Sequence, residues 1–267
     1  MVLKGNSSDI SNQNNEIWDH IELELMRRCE KLNNQQLSDV LMSFAVAGKG
    51  SERFFNIMED TIVESPIEIE ENHLVKIMKA YSQLNYGSPT FYKHMSTQFI
   101  KFRDFLHITQ MAEICSNFAR SQNSFQAGFG FYEHCEKEIE KLMDANKVSF
   151  SEGTKVVESL FKNNIGSTKF QTRMEDYLSE RVEHEETKGL IRLAIALYDP
   201  KYMIKSHRIH EDLMTALSLN IQDLDIRKLE TLFWAMTRNE KFYQEVVDNN
   251  PYSKMVAKSL LNTVFRR

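Results

Sequence analysis

Apolar residues recur three and four positions apart in six separated stretches of the chain. The first stretch holds Leu37, Leu41 and Phe44, and the second holds Leu74 and Ile77. This spacing puts the apolar side chains on one face of a helix, so each stretch is predicted to be amphipathic and helical. The corresponding positions in the six helices are Phe44, Ala80, Phe118, Leu160, Ala194 and Ala235. A recurrence of about 38 residues predicts a repeat architecture.

A short motif follows three of these helices, as Gly50-Ser51, Gly87-Ser88 and Gly166-Ser167, each with an aromatic residue three positions after the serine. Glycine suits the left-handed residue that ends a helix, and serine caps the amides of the next helix. Pro89 would occupy the first helical position, where its missing amide costs nothing. Looser copies occur at 128–132, 199–202 and 239–243. The aromatic positions of the six copies are Phe54, Phe91, Phe131, Phe170, Tyr202 and Phe242.

The repeating unit is therefore predicted to be helix, corner, helix. The fold class is all-α, a right-handed-type α-solenoid of about six helical-hairpin repeats of about 38 residues each. The repeats would span 33–68, 69–103, 104–147, 148–185, 186–224 and 225–263. Residues 1–14 are expected to form a flexible polar tail, 15–32 an N-terminal capping helix, and 264–267 a C-terminal tail. Ser149, with Glu152 in the first turn, is expected to cap the fourth repeat.

Composition narrows the classes of function. The 13 methionines and 17 phenylalanines are typical of core filler between packed helices, and only four prolines interrupt the chain. No apolar run approaches the roughly 20 residues of a transmembrane helix. A net charge of −5 argues against a globally basic nucleic-acid binder. Three scattered cysteines, Cys29, Cys115 and Cys135, indicate a reducing compartment rather than a disulfide framework.

Catalytic and metal-binding patterns are absent from the sequence. His207 and His210 lie three apart on a predicted helix, but no carboxylate or cysteine accompanies them in a known metal motif. Gly128 and Gly130 resemble part of a nucleotide-binding loop, but the lysine that such a loop needs does not follow. We therefore predict no enzyme activity, no catalytic residues, no metal and no cofactor.

The pattern Leu-x-x-Val-Leu-x-x-Phe-Ala-x-x-Gly, followed by Ser-x-x-Phe-Phe-x-x-Met, at 37–58 resembles the octotricopeptide and heptatricopeptide repeats. It recurs at 74–95. Heptatricopeptide repeats occur in the FAST-kinase-domain family and related organellar proteins. The resemblance covers about residues 33–263. It does not extend to that family's C-terminal RAP domain. It implies a mitochondrial location, although residues 1–14 lack the arginines of a typical presequence. It also implies RNA contact through the first helices of the repeats.

Two functions are compatible with this sequence. The first is a non-catalytic scaffold, an accessory or structural subunit of a large mitochondrial assembly such as a respiratory-chain complex, ATP synthase or ribosome. The alternative is an organellar RNA-binding protein acting in RNA processing or stability. The polar positions of the first helices are mixed rather than basic, which favours the scaffold and other protein subunits as partners. Under the alternative, the phosphate contacts would be Lys76, Lys79, Arg227, Lys228, Arg238 and Lys241.

Overall fold

The structure is a computed structural model that describes residues 7–64, 69–120, 122–220 and 226–237. All regular structure in these ranges is helical, so the prediction of an all-α fold is confirmed. The α-helices are α1 (Ser7–Arg28), α2 (Asn34–Ala47), α3 (Glu52–Glu64), α4 (Glu71–Leu84), α5 (Pro89–Lys101), α6 (Ile108–Phe118), α7 (Gln122–Ala127), α8 (Phe129–Asp144), α9 (Phe150–Ser159), α10 (Thr168–Ser179), α11 (Thr187–Leu197), α12 (His207–Leu219) and α13 (Ile226–Thr237). Short 3-10 turns occur at Cys29–Lys31, Arg103–Phe105, Phe161–Asn163 and Val182–His184.

The chain divides into two compact units. The first consists of Met1–Leu106 with Asn117–Phe131, and the second of His107–Ser116 with Tyr132–Arg267. In the first unit α2 packs along α4, while α1, α3 and α5 pack in succession. In the second unit α9, α11 and α13 pack in succession and α10 packs on α12. We call α2, α4, α6, α9, α11 and α13 the first helices, and α3, α5, α8, α10 and α12 the second helices.

Each short corner contains two residues with left-handed backbone conformation, two positions apart, whereas the sequence predicted one. Gly48, Asn85 and Asn164 have φ of 62°, 58° and 55° and end their helices or turns. The glycine two positions later has φ of 97° at Gly50 and Gly166. That glycine is needed for space as well, because a Cβ there would lie within 3 Å of the following aromatic ring.

Aromatic rings connect the helices of the first unit. The ring centroid of Phe44 lies 4.5 Å from that of Phe54, and Tyr81 lies 4.2 Å from Phe91. The ring after each corner therefore packs back on the helix just completed, as the sequence predicted. Tyr81 is fully buried and donates its hydroxyl to the carbonyl of Phe55 at 2.8 Å. Aromatic pairs of this kind contribute about 0.5–1.5 kcal/mol each beyond area burial.

The second unit repeats this pattern with one substitution. Phe161 and Phe170 pack edge to face with centroids 5.6 Å apart. Tyr202 stacks on Phe161 at 5.5 Å, but it lies in the connection between α11 and α12 rather than on a helix. The fifth corner is therefore longer than the sequence predicted, and the serine that begins the next helix is Ser206.

Two other boundaries differ from the sequence prediction. The helix α1 begins at Ser7, within the stretch 1–14 that was expected to be a tail, because a polar helix has no apolar stripe to reveal it. A short additional helix, α7, precedes the third corner at Gly128. The sixth corner at 239–243 and the tail at 264–267 lie outside the described residues.

Candidate interaction surface

A glutamate and a serine clamp three of the corners. At the second corner, the Oγ of Ser88 accepts the amide of Phe91 at 3.1 Å and so caps α5. The amide of Ser88 donates to Glu59 at 3.0 Å, and its hydroxyl donates to the other oxygen of that carboxylate. The same arrangement joins Ser51 to Glu22 and Ser167 to Glu136. Each clamp therefore hydrogen-bonds the start of a second helix, α3, α5 or α10, to an earlier helix, which is α1, α3 or α8 respectively.

The third corner lacks both members of the clamp. Gly128 and Phe129 stand where the corner serine would be, and Gln98 stands midway between Glu59 and Glu136. The amide nitrogen of Gln98 lies 3.3 Å from Nε2 of His94 instead. Because the serine and the carboxylate are missing together, the clamp behaves as one unit of the repeat.

The fourth clamp, at Ser206, has a different form. Glu175 is fully buried and accepts the amides of Lys205 and Ser206 at 2.9 and 2.5 Å, together with the hydroxyl of Tyr202. Burial raises the pKa of Glu175 to about 7, although these donors favour the ionised carboxylate. The hydroxyl of Ser206 donates to Asp176 at 2.5 Å rather than capping α12. The carboxylate of Glu175 therefore holds the α11–α12 connection against α10.

Polar side chains link successive first helices. In the first unit Asp39 of α2 and Lys76 of α4 form an ion pair at 2.9 Å. Ser38 and His73 lie 3.0 Å apart across the same two helices. In the second unit both oxygens of Glu158 accept the guanidinium of Arg192 at 2.7 Å. In each unit, therefore, charges of opposite sign on neighbouring first helices are paired.

In each unit the exposed side chains of these helices form a candidate surface, which we call the first-helix surface of that unit. In the first unit it includes Gln36, Asp39 and Lys76 on α2 and α4, and in the second unit it includes Arg192 on α11. The charged residues of α2 and α4 are Asp39, Glu71, Lys76 and Lys79, two acidic and two basic. The surface of α2 and α4 thus offers hydrogen-bonding groups without an excess of positive charge.

The basic residues proposed for RNA lie in separate places. Lys76 is paired with Asp39, and Lys79 is half-buried on the same helix in the first unit. Arg227 and Lys228 are exposed in the first turn of α13 in the second unit. Arg238 and Lys241 lie outside the described residues.

The cysteines and histidines that could suggest chemistry are buried in helices. Cys115 and Cys135 are fully buried free thiols of the second unit, and burial raises the pKa of Cys135. His210 is buried with Nδ1 3.0 Å from the hydroxyl of Tyr198. Within the described ranges, no three His, Cys, Asp or Glu side chains converge as metal ligands would.

The glutamate of each clamp was missed by sequence reasoning, although a signal exists. Glu22, Glu59, Glu136 and Glu175 precede their serines by 29 to 31 residues and follow the repeat period. Ion pairs between first helices were also missed, because their partners are 34 to 37 residues apart.

Comparison with known proteins gives no assignment for this chain. No protein-family model matches it, and no curated protein matches it significantly. Among the described helices, none has the length and apolar character to cross a bilayer.

Proposed function

We propose that this chain is a non-catalytic helical-repeat scaffold that binds other proteins through its first-helix surface. In this proposal the repeats stack as one α-solenoid, and the chain is an accessory subunit of a large mitochondrial assembly. Stacked repeats provide extended surfaces of the kind that grip a partner protein. The mitochondrial location follows from the resemblance to organellar repeat proteins.

The pairing of charge on the first-helix surface is the observation that carries the proposal. A nucleic-acid site concentrates unpaired cations along a phosphate path, because phosphate contacts supply most of the nonspecific affinity. Here Lys76 is neutralised by Asp39 and Arg192 by Glu158. A surface of paired charges and neutral polar groups is better suited to a folded protein partner, whose own polar groups it can match.

The disposition of the carboxylates supports a structural role as well. Glu59 and Glu175 are buried, and each accepts several donors from the corner that it holds. Their hydrogen-bonding capacity is used within the fold, which favours a rigid support for binding over a reactive centre.

Affinity capture with matched surface variants tests the proposal. The full chain would be recovered with its partners from mitochondrial extract after nuclease treatment. Substituting Asn72→Arg with Gln83→Arg, both on exposed positions of α4 in the first-helix surface, should remove the stoichiometric protein partner. Asn56→Arg with Thr97→Arg adds the same charge at exposed positions on the second helices α3 and α5, and these substitutions should leave the partner bound.

Single-stranded RNA provides the opposing measurement. Fluorescence anisotropy with a labelled 20-nucleotide RNA of mixed sequence, over a series of KCl concentrations, should show only weak binding. Tight binding that falls steeply with salt, and that is lost in an Arg227→Glu, Lys228→Glu variant, would replace the scaffold with the RNA-binding function.

A further inference from the structure

An apolar groove lies between α1 and α2 in the first unit. Trp18, Ile21 and Leu25 line it from α1, and Val40 and Phe44 line it from α2. Its volume is about 460 Å³, and Asp39 also borders it. Ile21 is 40% exposed, and Trp18, Leu25 and Val40 are half-buried. An apolar concavity of this kind is a candidate binding surface if something identifies what it binds.

The internal repeat identifies what this groove binds. Glu22 and Glu59 are 37 residues apart, which is one repeat. The same step relates each of the five apolar residues named above to one in α3 or α4. Ile21 corresponds to Met58, Leu25 to Ile62 and Val40 to Ile77, and all three later residues are at most 1% exposed. The contact of Trp18 with Phe44 at 4.9 Å recurs as Phe55 with Tyr81 at 5.2 Å.

The helix α2 covers the later copy of the surface. It packs along α4, its Phe44 stacks on Phe54, and its Asp39 pairs with Lys76. Ile17, which corresponds to the fully buried Phe54, is 56% exposed. The groove therefore has the shape and the apolar lining of a binding site for a helix like α2. Among the described helices, α2 is the earliest of the first helices.

We propose that this groove binds an amphipathic helix of a partner protein. That helix would carry apolar residues at positions i, i+4, i+7 and i+8, as α2 does at Leu37, Leu41, Phe44 and Ala45. It would carry a lysine or arginine at i+2, because the position of α2 that faces it is Asp39, whereas α4 has Lys76 at the corresponding position. The Asp39 side chain is 49% exposed, so its carboxylate can accept a second cation beside Lys76. Helices of this pattern commonly bind in hydrophobic grooves.

Charge argues against a second copy of this chain that would dock through α13, the last of the first helices in the described ranges. When Ala235 is aligned with Phe44, the residue of α13 that would face Asp39 is Glu230, and like charges repel. The inference depends on the proposed scaffold role only in making the partner a protein. The groove lies on α1 and α2 and shares Asp39 with the first-helix surface, whereas the capture variants change only α4.

A synthetic probe tests the groove directly. The probe is a fluorescein-labelled peptide with the sequence of 33–48, lysine in place of Asp39, and a hydrocarbon staple joining positions 36 and 40. The staple is needed because isolated helices of this length are marginal in water. Positions 36 and 40 line α2's own groove, so the staple leaves free the face that packs on α4. Fluorescence anisotropy is measured with the full chain.

We expect saturable binding that Ile21→Asp weakens about tenfold or more, since a buried unpaired charge is costly. Leu23→Asp is the matched control on the same helix, because Leu23 is 50% exposed and does not line the groove; it should change affinity less than about twofold. A peptide with aspartate rather than lysine at position 39 should bind several-fold more weakly, because it would face Asp39 of the protein. The difference in affinity between the two peptides should vanish when the protein carries Asp39→Asn.

Three outcomes would overturn the proposal. These are no binding of either peptide, equal losses in Ile21→Asp and Leu23→Asp, and self-association of the chain that Ile21→Asp abolishes. The last outcome would make a second copy the occupant. Circular dichroism of each variant establishes that it is folded. The capture experiment with the first-helix surface remains a separate test, so failure of either proposal can be told from failure of the other.

Discussion

The second corner and the α11–α12 connection perform the same task with different parts. At the second corner, Asn85 and Gly87 reverse the chain in the left-handed region, and Ser88 both caps α5 and binds Glu59. In the α11–α12 connection no left-handed residue occurs between Tyr198 and Ser206. Tyr202 instead fills the aromatic position on Phe161, and Glu175 binds three donors from the connection.

The difference shows which part of the corner is general. Both corners anchor the chain to a buried carboxylate on the preceding second helix, whereas the glycine and the serine cap occur only in the short form. The long connection therefore places three of its hydrogen bonds on one side chain, Glu175, whereas the short corner spreads its stability over backbone conformation, cap and clamp. Four sets of substitutions test this contrast and the contacts between helices.

The largest effect should come from Gly87→Ala in the short corner. Gly87 has φ of 103°, and a Cβ there would lie 2.8 Å from the ring of Tyr92. Backbone strain and the steric clash together should lower the free energy of unfolding by about 3–4 kcal/mol in urea denaturation. Gly130→Ala is the control, since its Cβ would meet Ile100 at an ordinary 3.7 Å. A loss below about 1 kcal/mol at Gly87 would mean that the corner tolerates rearrangement.

The pH dependence of stability should reveal the anchor of the long connection. Because the folded-state pKa of Glu175 is about 7, above the ordinary value of 4.5, the folded protein holds this proton more tightly than the unfolded chain does. The contribution is complete below about pH 4.5 and is lost as pH rises to about 7, a fall of about 3 kcal/mol.

Urea unfolding at pH 5, 6, 7 and 8 measures this slope. Glu175→Gln should remove it, whereas Glu136→Gln at a regular corner should leave it in place. Tyr202, Lys205 and Ser206 are the groups that face Glu175 from the connection. An unchanged slope in Glu175→Gln would assign the proton uptake to another group.

The serine clamps should rank by their burial. Ser88→Ala removes the cap on Phe91 and leaves Glu59, which is 8% exposed, with one donor fewer; we expect a loss of about 2 kcal/mol. Ser51→Ala makes the same change at an exposed corner and should cost about 1 kcal/mol. Thermal unfolding of the two variants gives the comparison, and equal losses would contradict a role for burial.

The smallest effects should come from the ion pairs between first helices. A double-mutant cycle on Asp39 and Lys76 should give a coupling of about 0.5 kcal/mol, because both side chains are about half exposed. The bidentate pair of Glu158 and Arg192 should give slightly more, about 1 kcal/mol. Couplings above about 2 kcal/mol would mean that these pairs determine how the first helices pack.

Much of the fold could be predicted from local patterns. Ser149 caps α9 and Glu152 returns the bond, as the sequence indicated, and Pro89 begins α5. These features depend on residues within four positions of one another, where helix geometry alone sets the contacts. The start of α1 and the short α7 were missed, since neither carries the apolar periodicity by which a helix is recognised.

The candidate site was less accessible to sequence reasoning. The sequence predicts Lys76 as a possible phosphate contact and does not reveal its partner Asp39. Their pairing depends on how α2 lies along α4, which the spacing within either helix does not specify. In the same way, the sequence groups Tyr202 with the aromatic residues of the corners, while the structure places it in a connection beside Phe161.

The amino-acid sequence by itself determined the helical class, the period of the repeat and the chemistry of its short corners. Those properties arise from hydrophobic spacing and from hydrogen bonds within one turn of chain. Only the tertiary structure decided which glutamates hold the corners, which charges cancel, and that the apolar surface of α1 and α2 is open where its copy on α3 and α4 is covered. Each of these depends on side chains about one repeat apart, and helix packing alone brings them into contact.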